Sequence, residues 1–321
     1  MEKLIVSSSP HIHTNDTVSE IMRDVIIALI PASIAGVLFF GLRSAVVILT
    51  AVAACMVSEW IFEKITNKPI TTGDLSAAVT GMILGMNMPV GIPLWMVAIG
   101  SVFSIVIVKQ LYGGLGKNFL NPALAGRCFM VIAWAGAMTT YVPAAFSGVD
   151  AVSSATPLEI MKNGAEGYMP SLTSAFLGIK GGCIGETSAL CLILGFIYLL
   201  IRRVVDCKIP VSFILSFAFL TYMFGHNHNM QQWYYTLMQV MTGGLLFGAF
   251  FMATDYVTTP TTPLGQIVFG LGCGILTFVI RNYGGYPEGV SFAILLMNVA
   301  APLIENATKP KVFGTKGGRA K

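Results

Sequence analysis

The run Asp150-Ala151-Val152-Ser153-Ser154-Ala155-Thr156-Pro157-Leu158-Glu159 has the residue types and spacing best suited to chemistry in this chain. Its second half, Thr156-Pro157-Leu158-Glu159, has the spacing of a capping box, with threonine as N-cap, proline in the first turn and glutamate at the third helical position. A hydroxyl at that place also suits an attached phosphate, because the unpaired N–H groups and dipole of a helix start favour anions. The structural and chemical readings of Thr156 are compatible. Asn118-Phe119-Leu120-Asn121-Pro122 follows a glycine-rich turn. Its two asparagines, three apart, share one helical face and could hydrogen-bond a flat polar ring, or equally cap the helix that Pro122 begins. Asp255 stands between an apolar run and Thr258-Thr259-Pro260-Thr261-Thr262-Pro263. An acid at the end of a membrane span is a candidate for holding a ligand, an ion or a proton. Asp74, Glu186 and Glu288 each open an apolar stretch, where the helix dipole is sufficient reason for an acid.

The sequence argues against a metal site built by this chain alone. His11/His13 and His226/His228 sit in polar loops with no evident third ligand. Six cysteines lie far apart with no Cys-x-x-Cys pair. In apolar spans such residues are small packers, and a cluster shared with another protein of a complex stays open. The net charge of +4 forms no basic patch interleaved with aromatics, which excludes a nucleic-acid binder.

The elements that position these residues are membrane spans. Charged residues are 11% of 321 and hydrophobic ones 55%, against roughly 25% charged in a soluble domain. About ten apolar stretches approach the length needed to cross the hydrocarbon. The third, 75–88, ends at Asn87-Met88-Pro89 and reads as a broken helix, which protein or a cavity must shelter. Thr17-Val18-Ser19-Glu20 has capping-box spacing and opens the first span. With the N-terminus inside, all of the 19 Lys and Arg residues except Arg43, Lys162, Lys180 and Arg281 fall on the inner side. The positive-inside bias therefore puts both termini in the cytoplasm, and the long 139–186 connection outside as an ordered loop.

Val106-Ile107-Val108-Lys109-Gln110-Leu111-Tyr112-Gly113-Gly114 and Phe278-Val279-Ile280-Arg281-Asn282-Tyr283-Gly284-Gly285 share a base, an aromatic and two glycines after a span. Five spans per half is an odd number, so such halves are inverted, and inverted repeats place ligand sites at their interface. The expected architecture is an all-α integral membrane protein of two inverted five-helix repeats. Residues 1–138 hold the N-terminus and first repeat, 139–186 the extracytoplasmic loop, and 187–321 the second repeat and a cytoplasmic tail. A channel or secondary transporter without a redox cofactor would have the same architecture.

Asp150-x-x-Ser153-Ser154-Ala155-Thr156 resembles the flavinylation signature Asp-x-x-Ser/Thr-Gly-Ala-Thr/Ser, with Ser154 in place of glycine. With Gly113-Gly114-Leu115-Gly116-Lys117-Asn118-Phe119-Leu120-Asn121-Pro122-Ala123 and Ile21-Met22-Arg23-Asp24-Val25, it makes the chain similar to the RnfD family of the Rnf membrane complex. More distantly it resembles NqrB, the corresponding component of the sodium-pumping NADH:quinone reductase. The short N-terminal region favours the former. The resemblance implies a flavin-carrying electron-transfer subunit of a ferredoxin:NAD oxidoreductase coupled to Na+ or H+ translocation in the inner membrane. FMN would be joined to Thr156 by a phosphodiester, made by a flavin transferase. A second, non-covalent riboflavin is implied in the membrane part, with Asn118 and Asn121 matched to it, and Asp255 stays the ion or proton candidate. The partners implied are the other membrane and peripheral subunits, with no complete activity from this chain alone.

Overall fold

The structure, a computed structural model, describes residues 17–145, 155–163, 169–225, 230–286 and 288–310. Among these every regular element is helical and none is a strand. Helix α1 (Val18–Phe40) opens on the expected capping box: Thr17 Oγ1 accepts from the Glu20 N–H at 3.3 Å and the Glu20 carboxylate from the Thr17 N–H at 3.0 Å. It turns at Gly41, φ +78°, into α2 (Leu42–Ile65). Then come α3 (Ser76–Met86), α4 (Leu94–Val102) with a π-helical continuation Phe103–Gln110, and α5 (Pro122–Ala133) with the short α6 (Ala135–Thr139). Two small helices, α7 (Pro157–Asn163) and α8 (Leu172–Leu177), lead to α9 (Ala189–Ile201) and α10 (Lys208–Phe224). The chain finishes with α11 (Gln232–Met241), α12 (Leu245–Phe247) with its π-helical continuation Gly248–Met252, α13 (Pro263–Tyr283) and α14 (Val290–Thr308).

The all-α membrane class holds, with fewer full-length spans than the hydropathy pattern predicts. α1, α2, α13 and α14 are long and apolar enough to cross a membrane, and α11 with the α12 stretch makes one broken span bent by 57°. α3, α4 with its π-helical continuation, α5, α9 and α10 are shorter apolar helices of 10–17 residues. Local polar chemistry shortens them. The 75–88 span stops as α3 because the Asn87 amide donates to the Ile83 carbonyl at 2.8 Å. The 187–205 span starts late because Ser188 caps α9, accepting from the Cys191 N–H at 3.3 Å. The break in 235–254 falls at Gly243 and Gly244, whose φ values of +66° and +68° suit glycine alone.

Small residues set the helix packing, as expected where lipid removes the hydrophobic drive between helices. Gly81 and Gly85 of α3 ride on α2, where a Cβ would meet the Cα of Val52 at 2.6 Å and of Ile48 at 2.9 Å. Gly270 and Gly274 of α13 ride on α10 in the same manner, against the carbonyls of Ile209 and Phe213. α1 packs on α9, and α5 on α14. The described part of the 139–186 connection is ordered: Leu158, Met161 and Ala175 form a small core with Tyr235 and Met238 of α11.

Candidate functional site

Thr156 starts α7, and its Oγ1 accepts from the Glu159 N–H at 3.2 Å, one of the two bonds of a capping box. The side chain is buried and lines a small cavity with Lys180, Gly182, Glu186, Gly243 and Glu288. Asp150 to Ser154 lie outside the described residues. Gly243 and Glu288 also line a second cavity, walled by Arg127, Tyr141 and the stacked rings of Tyr286 and Phe292, 5.8 Å apart.

Behind both cavities lies a buried charge cluster. Arg127, on α5, donates through Nη1 to Asn87 Oδ1 at 2.6 Å and Glu186 Oε1 at 3.3 Å, and through Nη2 to Glu288 Oε2 and the Cys183 Sγ, the last at 3.6 Å. Tyr141 donates to the other Glu288 oxygen at 3.2 Å. Cys183, Glu186 and Glu288 bring ligand-type atoms within 4.8 Å of one another, a metal-ligand set by composition. The guanidinium bonded to all three already supplies the positive charge there. The α12 break makes the approach possible, since a Cβ on Gly244 would meet Glu186 Oε1 at 2.5 Å. Lys180 is buried and donates to the Met241 carbonyl, and burial lowers its ammonium to about 8. Arg281 is spent on the carbonyls of Gln239, Thr242 and Gly243 and lies over the Phe217 ring at 4.9 Å.

A third cavity lies away from Thr156 and is lined by Asn118, Asn121, Asp255, Lys109, Ser76 and Phe251 among others. Both sequence readings of the asparagines hold in part. Asn121 caps α5, its Oδ1 accepting from the Ala123 and Leu124 N–H groups at 3.1 and 3.4 Å, while its amide donates to the Met252 carbonyl at 3.3 Å. Asn118 donates to the Leu120 carbonyl at 2.9 Å, but its buried Oδ1 has no partner. Asp255 accepts from the Thr258 hydroxyl at 3.2 Å, and burial raises its carboxyl above the usual range.

One wall of this cavity is backed by a second ion pair. Lys109 donates to Glu59 Oε1 at 2.6 Å and to Ser76 Oγ at 2.5 Å, and both charged side chains are at most 2% exposed. Gln110 adds a bond to the same Glu59 oxygen at 2.8 Å, and Glu59 Oε2 has no partner.

Several expectations need correction on these grounds. Lys109 and Arg127, read as inner-side bases, and Lys180 and Arg281, read as outer-side bases, are buried in protein. A count along the chain takes every base as facing water, whereas these are held by tertiary partners. Each side of the count loses two residues, and its bias survives. Glu186 and Glu288 serve Arg127, while Asp74 does act at a helix start, accepting from the Ser76 N–H at 2.8 Å. Sequence reading missed Arg127, Glu59, Lys109 and Lys180 as site residues, although a charge inside an apolar stretch is the signal that marks them. Both histidine pairs fall outside the described residues. The six cysteines include no disulfide, and four of them are buried.

Residues 5–314 match the profile of the NQR2, RnfD, RnfE family. The chain is 45% identical to the D subunit of the Na+-translocating ferredoxin:NAD+ oxidoreductase complex of Acetobacterium woodii, over 97% of this chain and 95% of that protein. It is 46% identical to the D subunit of the proton-translocating ferredoxin:NAD+ oxidoreductase complex of Clostridium ljungdahlii, over 97% and 96% of the two chains. Identity is 36% to the D subunit of the ion-translocating oxidoreductase complex of Erwinia tasmaniensis, over 98% and 99%.

Proposed function

We infer the function from one premise: the chain belongs to the NQR2, RnfD, RnfE family. It acts as a membrane subunit of a multisubunit ferredoxin:NAD oxidoreductase coupled to Na+ or H+ translocation, and has no complete activity alone. Relatives named as that component match nearly end to end, which supports this reading. About ten spans in two inverted halves, with both termini cytoplasmic and the 139–186 segment outside, is the topology that accompanies it. The buried bases Lys109 and Arg281, each in the last turn of its helix and two or three residues ahead of a Tyr-Gly-Gly, support the repeat.

Within the complex the chain carries FMN on Thr156. The observation that bears this reading is the Thr156 side chain on a cavity wall, beside a larger cavity lined by aromatic rings. In the attachment, the Thr156 oxygen bonds to the flavin-side phosphorus of a flavin dinucleotide held by the transferase. The pyrophosphate bond breaks, and the nucleoside monophosphate leaves with the threonine proton. Riboflavin binds at the cavity lined by Asn118 and Asp255, where the unpartnered Asn118 Oδ1 would accept from a ring N–H or a ribityl hydroxyl, and Asp255 serves a cation or proton. A bound flavin supplies one-electron transfer, and the protein sets position and polarity around it.

Co-expression with a flavin transferase tests the attachment. The wild type is expected to fluoresce in a denaturing gel and Thr156→Val to be dark, while losing only about 1 kcal/mol for the missing cap. A dark wild type or an undimmed Thr156→Val rejects covalent FMN at this residue. Asn118→Leu is expected to cut the acid-released, non-covalent flavin of the purified protein severalfold while leaving the gel band fluorescent. Unchanged release would remove Asn118 from the second site.

A further inference from the structure

We propose that the cavity at the starts of α10 and α13 is a site for one phosphatidylethanolamine, its headgroup held between Arg203 and Asp206. The cavity has about 210 Å³ of room, many times what one water molecule needs. Its walls include the 203–206 turn, Thr254, Thr259 and Gln266. Two of these groups are donors without a partner among the described residues. Arg203 is exposed and makes neither an ion pair nor a hydrogen bond there. Gln266 has its Oε1 sealed in protein with no partner, which leaves the amide nitrogen for the cavity. The remaining polar groups are acceptors. Asp206 gives Oδ2 to Lys208 at 2.9 Å and keeps Oδ1. The hydroxyls of Thr254 and Thr259 donate to the carbonyls of Phe250 at 2.8 Å and Asp255 at 2.7 Å, so only their lone pairs remain. Other acids nearby are engaged elsewhere, Asp255 with Thr258 and Asp24 with Tyr198 and Arg202.

The lining itself carries one base and one acid, with Lys208 standing outside it. Such a pair suits a zwitterion. The phosphate of phosphatidylethanolamine accepts from a guanidinium and an amide, and its ammonium has three N–H donors for a carboxylate and two hydroxyl oxygens. The backbone adds an independent sign that the arginine side chain is wanted here. Arg203 follows α9 at φ +57°, in the left-handed conformation that a helix end commonly gives to glycine. A lipid fits better than a soluble zwitterion because of where the cavity lies. Both α10 and α13 begin here, where polar turns give way to apolar helix, and Val211, Leu264 and Ile267 nearby are exposed apolar side chains that acyl chains can cover.

The test uses the full chain, purified in detergent and stripped of lipid, with its thermal midpoint read in mixed micelles. Phosphatidylethanolamine is expected to raise the midpoint by several degrees. Phosphatidylcholine, with the same charges and no ammonium N–H, is expected to leave it nearly unmoved, as is the anionic phosphatidylglycerol. Arg203→Gly should be at least as stable as the wild type without lipid, since glycine suits that backbone, and should lose the increment. Asp206→Asn should lose most of it. An undiminished increment in both variants overturns the proposal, and so does an equal response to phosphatidylcholine or phosphatidylglycerol. Soluble phosphoethanolamine that reproduces the whole increment would assign the cavity to a free ligand and reject the lipid.

Should the variants fail to fold, the wild type decides alone. Native mass spectrometry from micelles equimolar in phosphatidylethanolamine and phosphatidylcholine is expected to show one retained phosphatidylethanolamine per chain in preference to phosphatidylcholine. Equal retention of the two overturns the proposal.

Discussion

Arg127→Met is expected to destabilise the protein by about 3–5 kcal/mol, the usual cost of removing one partner from a buried charge network. The loss leaves Glu186 and Glu288 facing each other and Cys183, with ligand atoms within 4.8 Å and no cation between them. It also frees the Asn87 side-chain Oδ1 at the end of α3. Arg127→Lys is expected to recover little, because one ammonium cannot span the Asn87, Glu186, Glu288 and Cys183 positions that the guanidinium fork reaches. At about 2–4 °C per kcal/mol for domains of 150–250 residues, the midpoint in detergent should fall by roughly 10 °C. A fall of only a degree or two would mean that the two carboxylates do not need Arg127 to be buried together.

Lys109→Met carries the second large effect, again about 3–5 kcal/mol, since it strands Glu59 at zero exposure. Glu59→Gln should cost a similar amount by stranding the ammonium. The double variant Lys109→Met/Glu59→Gln is expected to lose much less than the sum, because the charges vanish together and Gln110 and Ser76 remain to bond the amide. Thermal unfolding of the four proteins gives the coupling directly, and additive losses would show that the pair does not act as a unit. Lys109 also lines the cavity that holds Asn118 and Asp255. A double variant that folds yet releases less non-covalent flavin would assign the ammonium a part in holding the ligand there.

The features readable along the chain are those whose physics is local. The Thr17–Glu20 capping box forms as its i, i+3 spacing requires, and Asn121 with Pro122 caps α5. The asparagine interruption of the third span ends α3 where expected, since the Asn87 amide needs only the carbonyl four residues back. The membrane class follows from composition, because so few charges cannot clothe a soluble core. The glycine pair Gly243-Gly244 is itself a break signal within 235–254, but the need for it arises from Glu186, far away in sequence, pressing against Gly244.

By itself, then, the sequence determined the helical membrane class, the principal caps and the family, along with Thr156, Asn118, Asn121 and Asp255 as residues to watch. Only the tertiary structure decided which charges face water and which are buried. A lysine near a span end reads the same whether it reaches solvent or a glutamate on another helix. Lys109 meets Glu59 from fifty residues away and Arg127 meets Glu288 from 161. Burial and pairing are properties of neighbours in space, and a linear pattern has no term for them.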